Sequence, residues 1–408
     1  MSAAASEEQR AWRRSLLTAL GLSAAAAIAL GFSRFAYSLL LPAMQEDLGL
    51  SYVEAGALNT FNAVGYLAGA FGAAWAARRW GAARPFMAGV ALSALALLAT
   101  AFPDGLNALS ALRALGGFFG AFAYILGAAL AGGAAPGASP ERRGLLVGIY
   151  STGPSVGIVL SGLAVPAVAG LETGLDGGGW RAGWLALGAL AALGTAAALP
   201  AAMAATPPGA PRGGGTLSRA DFLHILPTTV AYTCFGAGYA GWTTFVIAML
   251  KAQGGSEQLA SSFWIVMGAV GIAGSVIWGR ALGRLPSNRG PALAYAATLV
   301  GAMPVLIWPG PVGAYASAVL YGASVMAGPS SIAIIAARHL APSSIAAAVA
   351  AVTICFAVGQ SAGPILSGWI SDATGEVSAG LWSAPLLLAG AALAQMFQKP
   401  PRAGVNEG

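Results

Sequence analysis

The chain has 408 residues, 57% hydrophobic and 8% charged, with a formal net charge of +6. An average soluble domain is about 25% charged, so this composition excludes an ordinary soluble fold and describes an integral membrane protein. Apolar runs of about 20 residues follow one another without the short alternation of barrel strands, so the spans are expected to be helices. The basic residues sit in short clusters between apolar runs, as in multi-spanning proteins, and no nucleic-acid partner is expected.

The first apolar stretch follows Arg10, Arg13 and Arg14. Its start has the make-up of a signal peptide, but the run continues to Leu41 and further spans follow, so it is read as the first span. Near its far end comes Gly31-Phe32-Ser33-Arg34-Phe35-Ala36-Tyr37, then Leu39-Leu40-Leu41-Pro42. An arginine at that depth costs roughly 2.5–3.5 kcal/mol on insertion scales, and chains keep it where it faces a protein interior or a water-filled cavity.

Twelve spans are predicted in all. Their centres fall near Ile28, Tyr66, Leu95, Phe119, Ser155 and Ala191, then near Gly236, Gly268, Leu299, Ala323, Ala357 and Leu388. Between the sixth and seventh lies Ala-Thr-Pro-Pro-Gly-Ala-Pro-Arg-Gly-Gly-Gly, a composition that makes 204–219 a flexible linker between two six-span halves, 1–203 and 220–408. The halves look related. At an offset of about 205 residues Gly31, Met44, Gly49, Ser51, Arg79 and Arg84 meet Gly236, Met249, Gly254, Ser256, Arg284 and Arg289. At an offset of about 210, Gly153-Pro154 meets Gly363-Pro364. Sixteen of the twenty Lys and Arg fall on alternate loops taken as cytoplasmic, which places both termini inside. Arg181 and Lys251 fall on the opposite loops, together with most acidic residues; no carboxylate falls in the middle of a span.

Arg113-Ala-Leu-Gly-Gly117 with Ala121 is similar to the fourth-span arginine motif of the major facilitator superfamily. Gly148 followed by Gly153-Pro154-Ser-Val-Gly157 resembles its fifth-span Gly-Pro motif, associated with antiporters, and Arg78-Arg79-Trp-Gly81-Ala-Ala-Arg84 resembles its loop between spans two and three. That loop departs from the pattern: the usual Asp position is Arg78, and the equivalent position in the second half is Gly283, so its charge-relay gating is in doubt here. A narrower resemblance is to the YbfB/YjiJ branch. It rests on Gly31-x-x-Arg34-Phe35-x-Tyr37-x-x-Leu40-Leu41-Pro42-x-Met44, on Asn62-x-x-Gly65-Tyr66-Leu67-x-Gly69, and on Gly359-Gln360-x-x-Gly363-Pro364 with Gly368, Asp372 and Gly375. The resemblance covers nearly the whole chain. It implies an all-α integral membrane protein with the twelve-helix major facilitator fold, two pseudo-symmetric six-helix bundles around a central cavity.

Each candidate residue has two readings. Arg34 is a cationic anchor in the cavity or a structural arginine bound to helix carbonyls, and Arg113 divides the same way. Asn62, Tyr66, Tyr37 and Gln360 line the cavity, or hydrogen-bond helix to helix for under ~1 kcal/mol each. Trp242 and Trp264 are aromatic cavity candidates or interfacial anchors. Gly153, Pro154, Gly157, Gly363 and Pro364 mark bent, closely packed spans expected at the interface between halves. His224 and His339, at span ends, are expected to make surface contacts rather than relay protons. Cys234 and Cys355 are expected as buried free thiols, and no metal or cofactor spacing is present.

No buried Asp pair, His-Glu-x-x-His, Gly-x-Ser-x-Gly or nucleotide loop is found, so neither an enzyme nor an ATP-driven pump is expected. The expectation is a monomeric secondary transporter of the bacterial inner membrane. It would move a small molecule by alternating access, a small organic anion held between Arg34 and Arg113. The alternative is an exporter of an uncharged or amphipathic metabolite or drug. Protons are a candidate coupling ion.

Overall fold

In a bilayer every backbone N–H and C=O needs an internal partner, so long apolar segments have little choice but the helix. The computed structural model describes residues 3–171, 179–205 and 216–401, and among these the regular structure is helical. Among the described residues nine helical stretches are long and apolar enough to cross a membrane, and Ala83–Ala99 is a shorter apolar one. Tyr52–Trp80 and the successive helices Pro311–Val325 and Ala327–His339 complete twelve passages. Each predicted centre falls inside one of them. Most of the proposed linker, 206–215, lies outside the described residues.

The turns between spans one and two, and between seven and eight, show the internal repeat at atomic detail. Gly49 and Gly254 hold φ of +64° and +80°, a left-handed conformation that suits glycine after a helix end. Two residues on, Ser51 and Ser256 cap the next helix. The Ser51 hydroxyl accepts from the Glu54 N–H at 3.2 Å while the Glu54 carboxylate accepts from the Ser51 N–H at 2.9 Å. The Ser256 hydroxyl accepts from the Leu259 N–H at 3.1 Å.

Packing divides the chain into two units, Met1–Ala43 with Phe61–Ala210, and Met44–Thr60 with Pro211–Gly408. The second therefore takes in the turn 44–60, which the sequence groups with the first half. Within it, the Asp372 carboxylate accepts from the N–H groups of Tyr52 and Val53, each at 2.8 Å.

Glycines set the helix spacing inside each unit. In the first, a Cβ on Gly31 would lie 2.5 Å from Gly157 Cα, and one on Gly153 would lie 2.3 Å from the Ser23 carbonyl oxygen. In the second, a Cβ on Gly363 would lie 2.0 Å from the Ala237 carbonyl oxygen. Gly153 and Gly157 thus pack on span one and Gly363 on span seven, while a Cβ on Gly56, at the start of span two and within the second unit, would lie 2.4 Å from the Pro364 carbonyl oxygen. The two segments also differ in shape. The fifth passage breaks at Thr152 between Pro140–Ser151 and Gly153–Val168, whereas Pro342–Thr374 runs unbroken through Pro364.

Four residues sit differently from their sequence reading. Arg181 is not a loop residue: it lies in the first turn of Gly179–Ala204, buried, donating to the Ala101 carbonyl at 2.8 Å and paired with Asp104. His339 is buried rather than at the surface, and its Nδ1 lies 3.1 Å from His224 Nε2. Cys234 and Cys355 are free thiols, each half-buried.

Candidate functional site

The first span does not run as an even α-helix. Between Ala3–Ala26 and Tyr37–Leu48 it widens into a π-helical segment, Ala27–Phe35, closed by the Ala36 N–H donating to the Gly31 carbonyl at 2.9 Å. Such five-residue spacing is rare and is enriched at functional sites. Gly31, packed on Gly157, sits inside it, and Arg34 projects from its end.

Asn62, on the second span, joins the parts. Its Oδ1 accepts from Arg34 Nε at 3.2 Å. Its Nδ2 donates to Ser33 Oγ and to the Arg113 carbonyl, both at 3.2 Å. The reach to Arg113 depends on close approach of spans two and four: a Cβ on Gly117 would lie 2.0 Å from the Asn62 carbonyl oxygen.

The two arginines have different surroundings. Arg113 is 3% exposed; its Nη1 donates to the Ser33 carbonyl, and its guanidinium lies 4.6 Å over the Tyr37 ring and 5.6 Å from that of Trp184. Arg34 is 9% exposed, with its guanidinium 4.7 Å over the Tyr66 ring. It forms no ion pair, and its Nη2 is buried without a hydrogen-bond partner among the described residues. Tyr66 and Tyr124, the latter within electrostatic reach of Arg34, are both partly exposed. Tyr150 holds this wall in place, donating to the Tyr124 carbonyl at 2.7 Å. A buried guanidinium with an unpaired donor among the described residues, walled by aromatic rings, can pair with an anion or another acceptor.

Arg34, Tyr37, Asn62, Tyr66 and Arg113 therefore come together within the first unit. Trp242 and Gln360 belong to the second. Trp242 is fully buried, stacked at 3.7 Å on Tyr321, and its indole N–H donates to the Ala302 carbonyl at 3.3 Å, so it packs the interior. Gln360 donates to the Tyr239 hydroxyl beside an aromatic stack in which Tyr232 and Phe356 lie 4.3 Å apart and Tyr239 and Phe356 5.8 Å apart. Ser33, Tyr124, Tyr150 and Trp184 are site neighbours that the sequence reading passed over. Tyr124 had a usable signal: it lies about three helical turns beyond Arg113, on the same face.

The arrangement stands beside the following likenesses. A family profile described as "Uncharacterised MFS-type transporter YbfB" matches residues 26–396. No curated protein matches the chain. Among solved structures, it is similar to a bacterial homolog of the human lysosomal transporter Spinster in an inward-facing, unoccupied conformation. The identity is 17%, the coverage 95% of each chain and the TM-score 0.71. It is also similar to a mutant of the nucleoside transporter NupG, at 15% identity over 94% of this chain and 98% of that one, with a TM-score of 0.72. At such identities the likeness concerns the fold. The profile spans nearly the whole chain, which belongs to the YbfB-type family of major facilitator superfamily transporters and is a multi-pass membrane protein that transports a small molecule rather than an enzyme.

Proposed function

We propose that the chain is a secondary transporter of a small organic anion, bound through a carboxylate or similar group at Arg34 and carried by alternating access. The observation that supports this is the buried Nη2 of Arg34, which among the described residues has no hydrogen-bond partner and no acidic residue paired to it. Arginine suits the task because its planar fork donates two parallel hydrogen bonds to one carboxylate. The anion would neutralise the niche and complete the hydrogen bonding of Arg34, while Asn62 fixes the rotamer and the partly exposed rings of Tyr66 and Tyr124 contact the ligand's apolar body. Arg113 contributes positive field but spends its fork on Ser33, so it acts as a positioning residue. We place the protein in the bacterial inner membrane with the basic loops and both termini inside. Protons remain a candidate coupling ion.

A thermal-shift screen of the purified protein against carboxylates, nucleosides and amphipathic amines tests the reading, followed by uptake into proteoliposomes. Carboxylates should raise the melting temperature. Arg34→Gln should abolish that shift, and Arg34→Lys, which keeps the charge but loses the fork, should weaken binding by about 2 kcal/mol, roughly thirtyfold. If a neutral or amphipathic ligand is the one that stabilises, and both variants bind it with native affinity, the anion reading fails.

A further inference from the structure

A second place in the molecule holds cationic side chains with unspent donors. A cavity of about 440 Å³, within the usual size range of about 300–1,000 Å³ for small-molecule sites, opens where Glu257–Arg284, Arg289–Ala302, Ala327–His339 and Val377–Met396 end or begin on the basic face of the second unit. Arg284, Ser287, Asn288, Arg338, Gln398 and Lys399 line it, and among the described residues no acidic one does. Its walls are held by hydrogen bonds. Arg338 donates to the carbonyls of Leu282, Gly283 and Leu285 at 3.3, 2.5 and 2.7 Å, closing the end of the eighth span. Gln395 donates to the Ser287 carbonyl at 2.9 Å. Gln398 accepts from Thr228 at 2.8 Å and donates to the His224 carbonyl at 3.1 Å.

The remaining polar groups are unspent. The side chains of Arg284, Asn288 and Lys399 make no hydrogen bond or ion pair among the described residues. Neither does the hydroxyl of Ser287, although that residue is only 8% exposed. Two free cations, a hydroxyl and an amide around one cavity match a phosphate group. The surroundings favour a lipid as its source. Leu393 and Phe397, at the end of the twelfth span beside the lining residues Gln398 and Lys399, are 66% and 75% exposed, an apolar surface suited to an acyl chain. Basic pockets between helix ends on the positive side of a membrane are suited to anionic headgroups.

We propose that this cavity binds the phosphate of an anionic phospholipid headgroup, with Arg284 and Lys399 pairing the charge and Ser287 and Asn288 donating to its oxygens. The site is separate from Arg34 and stands whether or not that residue binds substrate.

The test uses the full chain in phosphatidylcholine nanodiscs, with and without phosphatidylglycerol, and in detergent with sodium phosphate or sodium chloride at equal ionic strength. The readouts are the melting temperature and native mass spectrometry of retained lipid. The Arg284→Gln/Lys399→Gln variant removes only side chains that hold nothing else together, so it should fold; Arg78→Gln/Arg79→Gln removes equal charge from a different loop. Phosphatidylglycerol should raise the melting temperature of the native protein and of the Arg78/Arg79 variant by roughly 3–5 °C. The pocket variant should lose most of that shift and its bound lipid. If inorganic phosphate alone gives a pocket-dependent shift and the lipid adds nothing, the site takes soluble phosphate and the lipid assignment is overturned. An equal lipid shift in all three proteins, or none in any, overturns the proposal.

Discussion

Asn62 carries three hydrogen bonds at one level of the first unit, and each has a different consequence. The bond to Arg34 orients a guanidinium whose Nη2 has no hydrogen-bond partner among the described residues; the other two tie spans one, two and four together. Asn62→Asp keeps the acceptor for Arg34 but loses the two Nδ2 donations to Ser33 and Arg113, so a lower melting temperature is expected as well. On the folded fraction its carboxylate would satisfy the Arg34 guanidinium internally, so stabilisation by carboxylate ligands should be lost; retained ligand shifts in that variant would exclude Arg34 as the anchor. Arg113→Gln should behave in the opposite way. It removes the donor to Ser33 and the contacts with Tyr37 and Trp184, with an expected loss of about 2–4 kcal/mol of stability. Affinity measured on the folded fraction should change far less than for Arg34→Gln. Isothermal titration of both purified variants, alongside their melting curves, distinguishes the two arginines.

At the scale of elements, the first span widens where the fifth comes closest. Gly31 and Gly157 touch backbone to backbone beside the π-helical segment that carries Arg34, so helix spacing and the position of the guanidinium are set by the same contact. Gly153→Leu drives a side chain into the Ser23 carbonyl and the Ala26 methyl, 2.3 and 2.7 Å from where its Cβ would lie. The spans must separate, and transport should fall at least tenfold while membrane insertion persists; overpacking of this kind costs about 1–3 kcal/mol, a loss visible in the melting curve. Wild-type transport by this variant would show that the contact is incidental. The sequence made the Gly-Pro pair legible because small residues and prolines in a span have few other uses. The π-helical segment was not legible. Its extra residue per turn accompanies tertiary contacts, the Gly157 backbone on one side and Arg113 at Ser33 on the other, and no local pattern in Ala27–Phe35 encodes them. Pro364 lies inside the continuous helix Pro342–Thr374, where its missing N–H leaves one hydrogen bond of the helix unmade.

At the scale of the whole molecule, apolar length alone located the spans, because lipid leaves the backbone no alternative to helix. The assignment of segments to units was less legible. The turn 44–60 packs with the second unit through Asp372 and through Asn59, whose Nδ2 donates to the Thr244 hydroxyl at 2.7 Å, and neither partner is near it in sequence. Orientation in the membrane rests on charge. The structure puts Arg78 and Arg79 at the end of Tyr52–Trp80, Arg284 at the end of Glu257–Arg284 and Arg338 near the end of Ala327–His339. Those helix ends alternate along the chain with Ser51, Asp104, Ser256 and Glu376, where the loops are acidic or neutral. Translocating a loop with two or more arginines is disfavoured relative to retaining it, and this is the ground on which we propose that the basic ends are cytoplasmic. Reporter fusions at Arg212 and at Asp176 sample the two sides without cutting a described helix, since both positions fall outside the described segments. A phosphatase reporter, active only outside, should be silent at Arg212 and active at Asp176, and a fluorescent reporter that matures only in the cytoplasm should give the reverse. The reverse assignment at both sites would invert the protein in the membrane, and the same compartment at both would remove the twelve-span topology.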